Sequence, residues 1–352
     1  GQHGPAATAL VSVLVAPTRR TPVDTTFIRL VESSLSGAGR TTERWVAREL
    51  RAVAGDLAPT EHAELASRSA NVGYAEGLSS SSLRSSVMPG ALGRHPLWDA
   101  ALICGSFAGK VARVGLTEQG ASTRDRVKPR TTHPIRPVFD RVAKAFEVGE
   151  VELAVSDHVA APAVACEDVP WLIVPSSLES FTDSQALAAL ARPMCRIALG
   201  VPWLGALGTH EVLALLVAFV RQVAPGFSAY PMERIEPLVQ DYESSVRRAM
   251  DRKRRRMLEE LEPALSEAQP VDEVAFFEAV STTESRAALL LSGSLRASLD
   301  AMAMTDVVLA EALRVPGPTS LSAIFERAPA RDLATYAFQS EATSLRRSLG
   351  TA

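Results

Sequence analysis

The sequence predicts a mostly α-helical α+β protein, with a small antiparallel sheet packed on a helical bundle. Three observations lead there. Apolar residues recur at helical spacing along most of the chain, and three short β-type runs lie close together between 151 and 177. Aromatic residues are scarce (11 Phe, 4 Tyr and 4 Trp in 352 residues), so the core is mostly Ala, Leu and Val, which suits close-packed helices. With 47% apolar and 22% charged residues, a chain of this length buries a sizeable core without disulfides or metals.

The elements follow in order. An apolar stretch, Ala9 to Ala16, opens the chain; no basic segment precedes it, so a signal peptide is not expected. Residues 40–68 carry helical spacing with a break near Gly55–Pro59. The serine-rich run GLSSSSLRSSVMPG (77–90) reads as a flexible loop, 96–115 as a short helix, and 117–134 as a second polar loop. A helix is expected at 135–146, then strands at 151–156, 160–167 and 170–177. Thr182 or Asp183 caps a long alanine-rich helix. Helices are expected at 209–223, 233–266, 271–303, 319–327 and 330–348. The implied organisation is an N-terminal helical region with a Ser-rich loop (1–90), a connector and polar loop (91–132), and a C-terminal domain (133–352).

Charge and cysteine content exclude several classes. The net charge of −3 rules out a nucleic-acid binder driven by overall basicity. The only lysines are Lys110, Lys128, Lys144 and Lys253; every other cation is arginine. Cys104, Cys166 and Cys195 are odd in number and widely spaced, which fits a reducing compartment and no disulfide framework. The most apolar helix, VLALLVAFV (212–220), is far short of the roughly 20 residues that span a bilayer. The expectation is a soluble, cytoplasmic protein.

The run WLIVPSSLESFTDSQALAALARPMCRI (171–197) resembles the core of zinc endopeptidases of the CAAX prenyl protease and HtpX type. There an edge strand delivers a helix opening D-E-E-L-x-x-V-L-A and continuing into H-E-x-x-H. Matched from Asp183, the zinc motif falls on Arg192, Pro193, Met194, Cys195 and Arg196. The third-ligand motif, E-x-x-A-D-x-x-A, is resembled by STTESRAALLLSG (281–293), with Ser281 at the ligand position, Ser285 at the aspartate and Ala288 at the closing alanine. The resemblance spans about 133–303. It implies a metallopeptidase-like core whose zinc site is degenerate at Arg192, Pro193, Arg196 and Ser281.

The chemistry of that loss is direct. Catalytic zinc needs three protein ligands and an open position, supplied partly by two histidines at i and i+4. Arginine does not deprotonate and repels the cation, while proline lacks the carboxylate of a general base. No catalytic residue, metal or cofactor is therefore assigned. Arg192 and Arg196 instead require carboxylate partners if buried, and Glu278 or Glu284 of the later helix are the candidates. The strand at 171–177 is expected at a sheet edge, where an extended peptide adds.

Other motifs read more plainly. GSFAGK (105–110) is one residue short of a phosphate loop and lacks the following Ser or Thr, so it reads as a small-residue helix contact. Gly200, Gly205 and Gly208 fit no dinucleotide fingerprint. The six histidines, His3, His62, His95, His133, His158 and His210, are scattered; His210–Glu211 starts a helix, with Ala214 where a second histidine would stand, and His158 reads as a turn residue. Arg252, Lys253, Arg254, Arg255 and Arg256, within the basic run 247–257, read as a solvated face or an anion-binding site.

The sequence thus points to a non-catalytic, bacterial scaffold domain that contacts another protein, or forms a homo-oligomer, within a larger assembly. Nucleic acid and membrane are not the expected partners. Two alternatives stand beside it: an enzyme using a site near Arg192, Cys195 and Arg196, and a polyanion-binding module using the basic helix.

Overall fold

The computed structural model describes residues 3–16, 24–69, 77–228 and 232–352. Parts of the expected N-terminal region, at 17–23 and 70–76, lie outside the described residues. The fold is mostly helical with one small sheet.

The chain opens with α1 (His3–Leu14), α2 (Thr25–Gly37), α3 (Thr41–Val53) and α4 (Pro59–Ser69). Asp24 caps α2 by accepting from the Phe27 N–H at 3.1 Å. Gly55, at φ +70°, turns the chain between α3 and α4, and Pro59 suits the first helical position. The Ser-rich run is not the open loop its composition suggested. Ser79 accepts from the Ser82 N–H at 3.2 Å to start α5 (Ser80–Ser82), which continues as a π-helical turn through Val87. Leu83 and Val87 are both buried and anchor it.

Next come α6 (Pro96–Val111), α7 (Ile135–Ala145), and strands β1 (Glu152–Ser156), β2 (Ala163–Cys166) and β3 (Pro170–Pro175). They are followed by α8 (Asp183–Ala198), α9 (Thr209–Val220), α10 (Met232–Ala249), α11 (Arg252–Glu267), α12 (Glu273–Ser292) and α13 (Leu295–Ala303). The chain ends with α14 (Val307–Leu313), α15 (Pro318–Glu326), α16 (Ala328–Ala337) and α17 (Ser340–Leu349). Long helical patterns break where a cap competes. Asp251 takes the Arg254 N–H at 2.7 Å and starts α11. Gly293, at φ +66°, ends α12, and Ser294 then takes the Ala297 N–H at 3.1 Å to start α13.

The sheet corrects the sequence reading in two respects. Its order is β1-β3-β2, with β1 parallel and β2 antiparallel to β3, so it is mixed rather than antiparallel. β3 is the central strand, paired on both sides, so the stretch 171–177 offers no free edge to a peptide. The unbroken buried run Leu172, Ile173 and Val174 is what a strand covered on both faces requires. The outer strands are themselves partly bonded: Val127 N–H donates to the Leu153 carbonyl at 2.8 Å, and Cys166 N–H to the Val114 carbonyl at 2.7 Å.

The described residues form two compact units, neither continuous in sequence: 1–77, 180–192 and 285–352 in the first, 78–179 and 193–284 in the second. The three consecutive segments expected from the sequence do not follow this division. In the first unit, α2, α3 and α4 are tied by ion pairs, and the buried Glu49 carboxylate of α3 accepts from the Leu295 N–H at 2.6 Å, holding the start of α13. In the second, α9 is apolar on every side because every residue from Val212 to Val220 is buried. Among the described residues no helix is long and apolar enough to cross a membrane.

Candidate functional site

α8 carries the positions at which the resemblance would place zinc. Thr182 and Gln185 start it with reciprocal bonds: Thr182 N–H donates to Gln185 Oε1 at 3.1 Å, and Gln185 N–H to Thr182 Oγ1 at 3.4 Å. Alanines and leucines then propagate the helix with Ala186 to Ala191 all buried. Pro193 lies inside it, removing the N–H that would meet the Ala189 carbonyl.

Arg196 ends this helix as a nearly buried cation. Its Nε lies 3.1 Å from Oε1 of Glu284 on α12, with the two side chains 12% and 8% exposed. The guanidinium rests against Gly205 in the 3₁₀ turn Pro202–Ala206: a Cβ at that position would fall 0.9 Å from Nη1. Gly205 thus leaves the space that the guanidinium fills, at an ordinary backbone conformation. The sequence carries no local signal for this role, because the close approach is made by a side chain from another element.

The remaining positions do not converge on this pair. Arg192, in the first unit, donates to the Ala301 carbonyl at 2.9 Å and to Thr305 Oγ1 at 3.3 Å. Glu278 is exposed and Ser281 is half-buried. Of the expected clamp, the pairing of Arg196 with Glu284 is present. Cys195 is fully buried; burial pushes its thiol well above the ordinary value, with the Glu284 carboxylate adding to the effect. A thiol so held stays protonated near neutral pH and is a poor nucleophile. Burial also raises Cys104, and raises Cys166 to about 12.

The donor set at 192–196 and 281 does not fit zinc: it offers no imidazole or carboxylate, and its one thiol, Cys195, is buried and held protonated. Among the described residues, no three His, Cys, Asp or Glu side chains are grouped to hold a metal ion. Glu211 spends its carboxylate on helix capping, accepting from the Gly208 N–H at 2.8 Å. His158 is an exposed turn residue whose N–H donates to Ser156 Oγ at 3.2 Å. The GSFAGK segment lies in α6, where Gly109 packs against Cys166 so closely that a Cβ would fall 2.1 Å from the Cys166 Cβ. Gly105 is non-helical there, at φ 49° and ψ −139°.

Two features of the first unit were not singled out from the sequence. Arg48 and Arg51 of α3 share the buried Glu32 of α2 at 2.8 and 2.7 Å, and Arg51 also pairs with Glu61 of α4 at 2.8 Å. The guanidinium of Arg48 lies 5.0 Å from the Trp45 ring centre. The three-residue spacing of Arg48 and Arg51 was the available signal. A cavity of 490 Å³ is bordered by Glu49, His62, Gln185, Arg296 and Asp300. Its polar groups bond to one another: Gln185 Nε2 and Arg296 Nε both donate to Asp300, at 3.1 and 2.9 Å.

No protein-family model, curated protein or solved structure matches this chain. The resemblance at 171–197 therefore rests on its residues alone.

Proposed function

We propose that the chain is a non-catalytic, metallopeptidase-like domain that serves as a protein-contact component of a larger cytoplasmic assembly. The observation that carries this reading is the Arg196–Glu284 pair. The resemblance puts a zinc-binding histidine at Arg196, and a guanidinium there is neutralised from α12 instead. A cation neutralised by a carboxylate leaves no place for a metal ion, and a substrate carbonyl would find neither a Lewis acid nor a general base. The buried, protonated thiol of Cys195 argues against thiol catalysis at the same place. Contact with a protein partner is then the remaining use of the scaffold, though not through β3, which is paired on both sides.

The test is metal content by mass spectrometry on protein purified without chelators or a histidine tag. No stoichiometric metal is expected. One zinc per chain, accompanied by peptide hydrolysis that a chelator abolishes, overturns the proposal.

A further inference from the structure

α11 carries its charge in the wrong order for a helix. Its first turn and a half holds Arg252, Lys253, Arg254, Arg255 and Arg256, and its remainder holds Glu259, Glu260, Glu262 and Glu267. The backbone dipole favours acids in the first turn and cations in the last, so Arg252–Arg255 at one end and Glu267 at the other oppose it. Arg247 and Arg248, exposed at the end of α10, extend the positive end across the short turn at Met250–Asp251.

Folding satisfies little of this charge. Arg254 pairs with the capping Asp251 and lies 5.5 Å from the Phe107 ring centre. Arg256 meets Glu260 at 3.5 Å, with the two side chains 82% and 69% exposed, a contact of small worth in water. Arg252, Lys253 and Arg255 have no carboxylate partner among the described residues. Several buried or half-buried arginines elsewhere meet acids, as Arg51, Arg196, Arg221 and Arg286 do. Leu258 and Leu265 anchor the inner face, leaving an exposed outer stripe of Lys253, Arg256, Met257, Glu260 and Glu267. A segment whose local charge opposes its own stability points to selection for something other than stability.

We infer that α11 is a self-association helix, along which two copies of this chain pair antiparallel, the basic half of each against the acidic half of the other. Such a pairing is isologous: each charge meets its opposite twice, and the two-fold axis passes near Met257, which is 41% exposed and supplies the apolar contact at the centre. A polyanion accounts for less of the pattern. Four glutamates follow the cations on a helix only about 24 Å long, where they would repel phosphates, and the chain as a whole is at −3. One charged helix face is a small interface, so the dimer is weak and salt-sensitive. The inference does not depend on the Arg196 site.

The test is analytical ultracentrifugation of the full chain at about 25 mM and about 0.5 M salt, where screening differs most. A concentration-dependent dimer is expected at low salt, with affinity falling by roughly tenfold or more at high salt. R252E/K253E/R256E and E259K/E260K/E267K variants are each expected to be monomeric, and an equal mixture of the two to restore a dimer. The first variant should melt no lower than the parent, because it corrects the helix dipole; this separates lost pairing from lost folding. A parent chain that stays monomeric at low salt overturns the inference, as does a dimer that survives both variants or a mixture that fails to pair. A labelled DNA duplex that binds the monomeric parent and not the R252E/K253E/R256E variant overturns it in favour of a polyanion.

Discussion

Removing one partner of the Arg196–Glu284 pair should be among the most damaging single changes in the second unit. Both side chains are nearly buried, at 12% and 8% exposure, and the charged atoms lie 3.1 Å apart. At an effective dielectric near 20, two unit charges about 4 Å apart attract by about 4 kcal/mol. Arg196→Met leaves a buried carboxylate, and Glu284→Leu leaves a buried guanidinium. Each is expected to cost about 3–5 kcal/mol, chiefly through the stranded charge. The double replacement strands neither and is expected to cost within about 1 kcal/mol of zero. Urea unfolding followed by circular dichroism, run as a double-mutant cycle, gives the three numbers. Single changes costing under about 1 kcal/mol, or a double change equal to the sum of the singles, would refute the account of a desolvated, mutually dependent pair.

Further expectations follow from neighbouring observations. Gly205→Ala sets a methyl where Nη1 of Arg196 lies, so it should destabilise the parent chain by about 1–3 kcal/mol and cost far less in the Arg196→Met background; equal costs in both would dissociate Gly205 from the pair. The Arg29 hydrogen bond holds the Asp56 carboxyl below its ordinary 3.8, and the Arg51 hydrogen bond holds Glu61 below 4.5. Because these pKa values are depressed in the folded state, their stabilisation is present above those ordinary values and is lost as pH falls through the folded ones. Asp56→Asn should accordingly flatten the acid limb of a stability-versus-pH curve, and an unchanged limb would count against the network. Finally, all three buried thiols should react with a disulfide reagent at mildly alkaline pH only after denaturant is added. Fast labelling of Cys195 in the native chain would reopen the question of catalysis there.

Much of the helical architecture is legible in the sequence, because caps and apolar spacing act locally. Thr182 with Gln185 starts α8 much as the residue types suggest. Glu211 behaves as a helix-start residue rather than a metallopeptidase glutamate. The sheet is less legible. The strand at 171–177 is expected at a sheet edge, but β3 lies between β1 and β2. The continuous apolar run Leu172–Val174 was the signal of a strand covered on both faces.

At the candidate site, the sequence alone determined that Arg192, Pro193 and Arg196 cannot hold zinc, since that follows from side-chain chemistry whatever the fold. The reversed charge order of α11 depends on the break at Met250–Asp251, which the helix expected over 233–266 lacked. Only the tertiary structure decided that Glu284, and not the exposed Glu278, meets Arg196, and that Arg192 reaches the Ala301 carbonyl. It alone revealed that Gly205 leaves room for the guanidinium. The physical reason is the same in each case. Helix caps and ligand chemistry are settled within a few residues, whereas a buried charge is satisfied by whichever distant group the packing brings within about 3 Å.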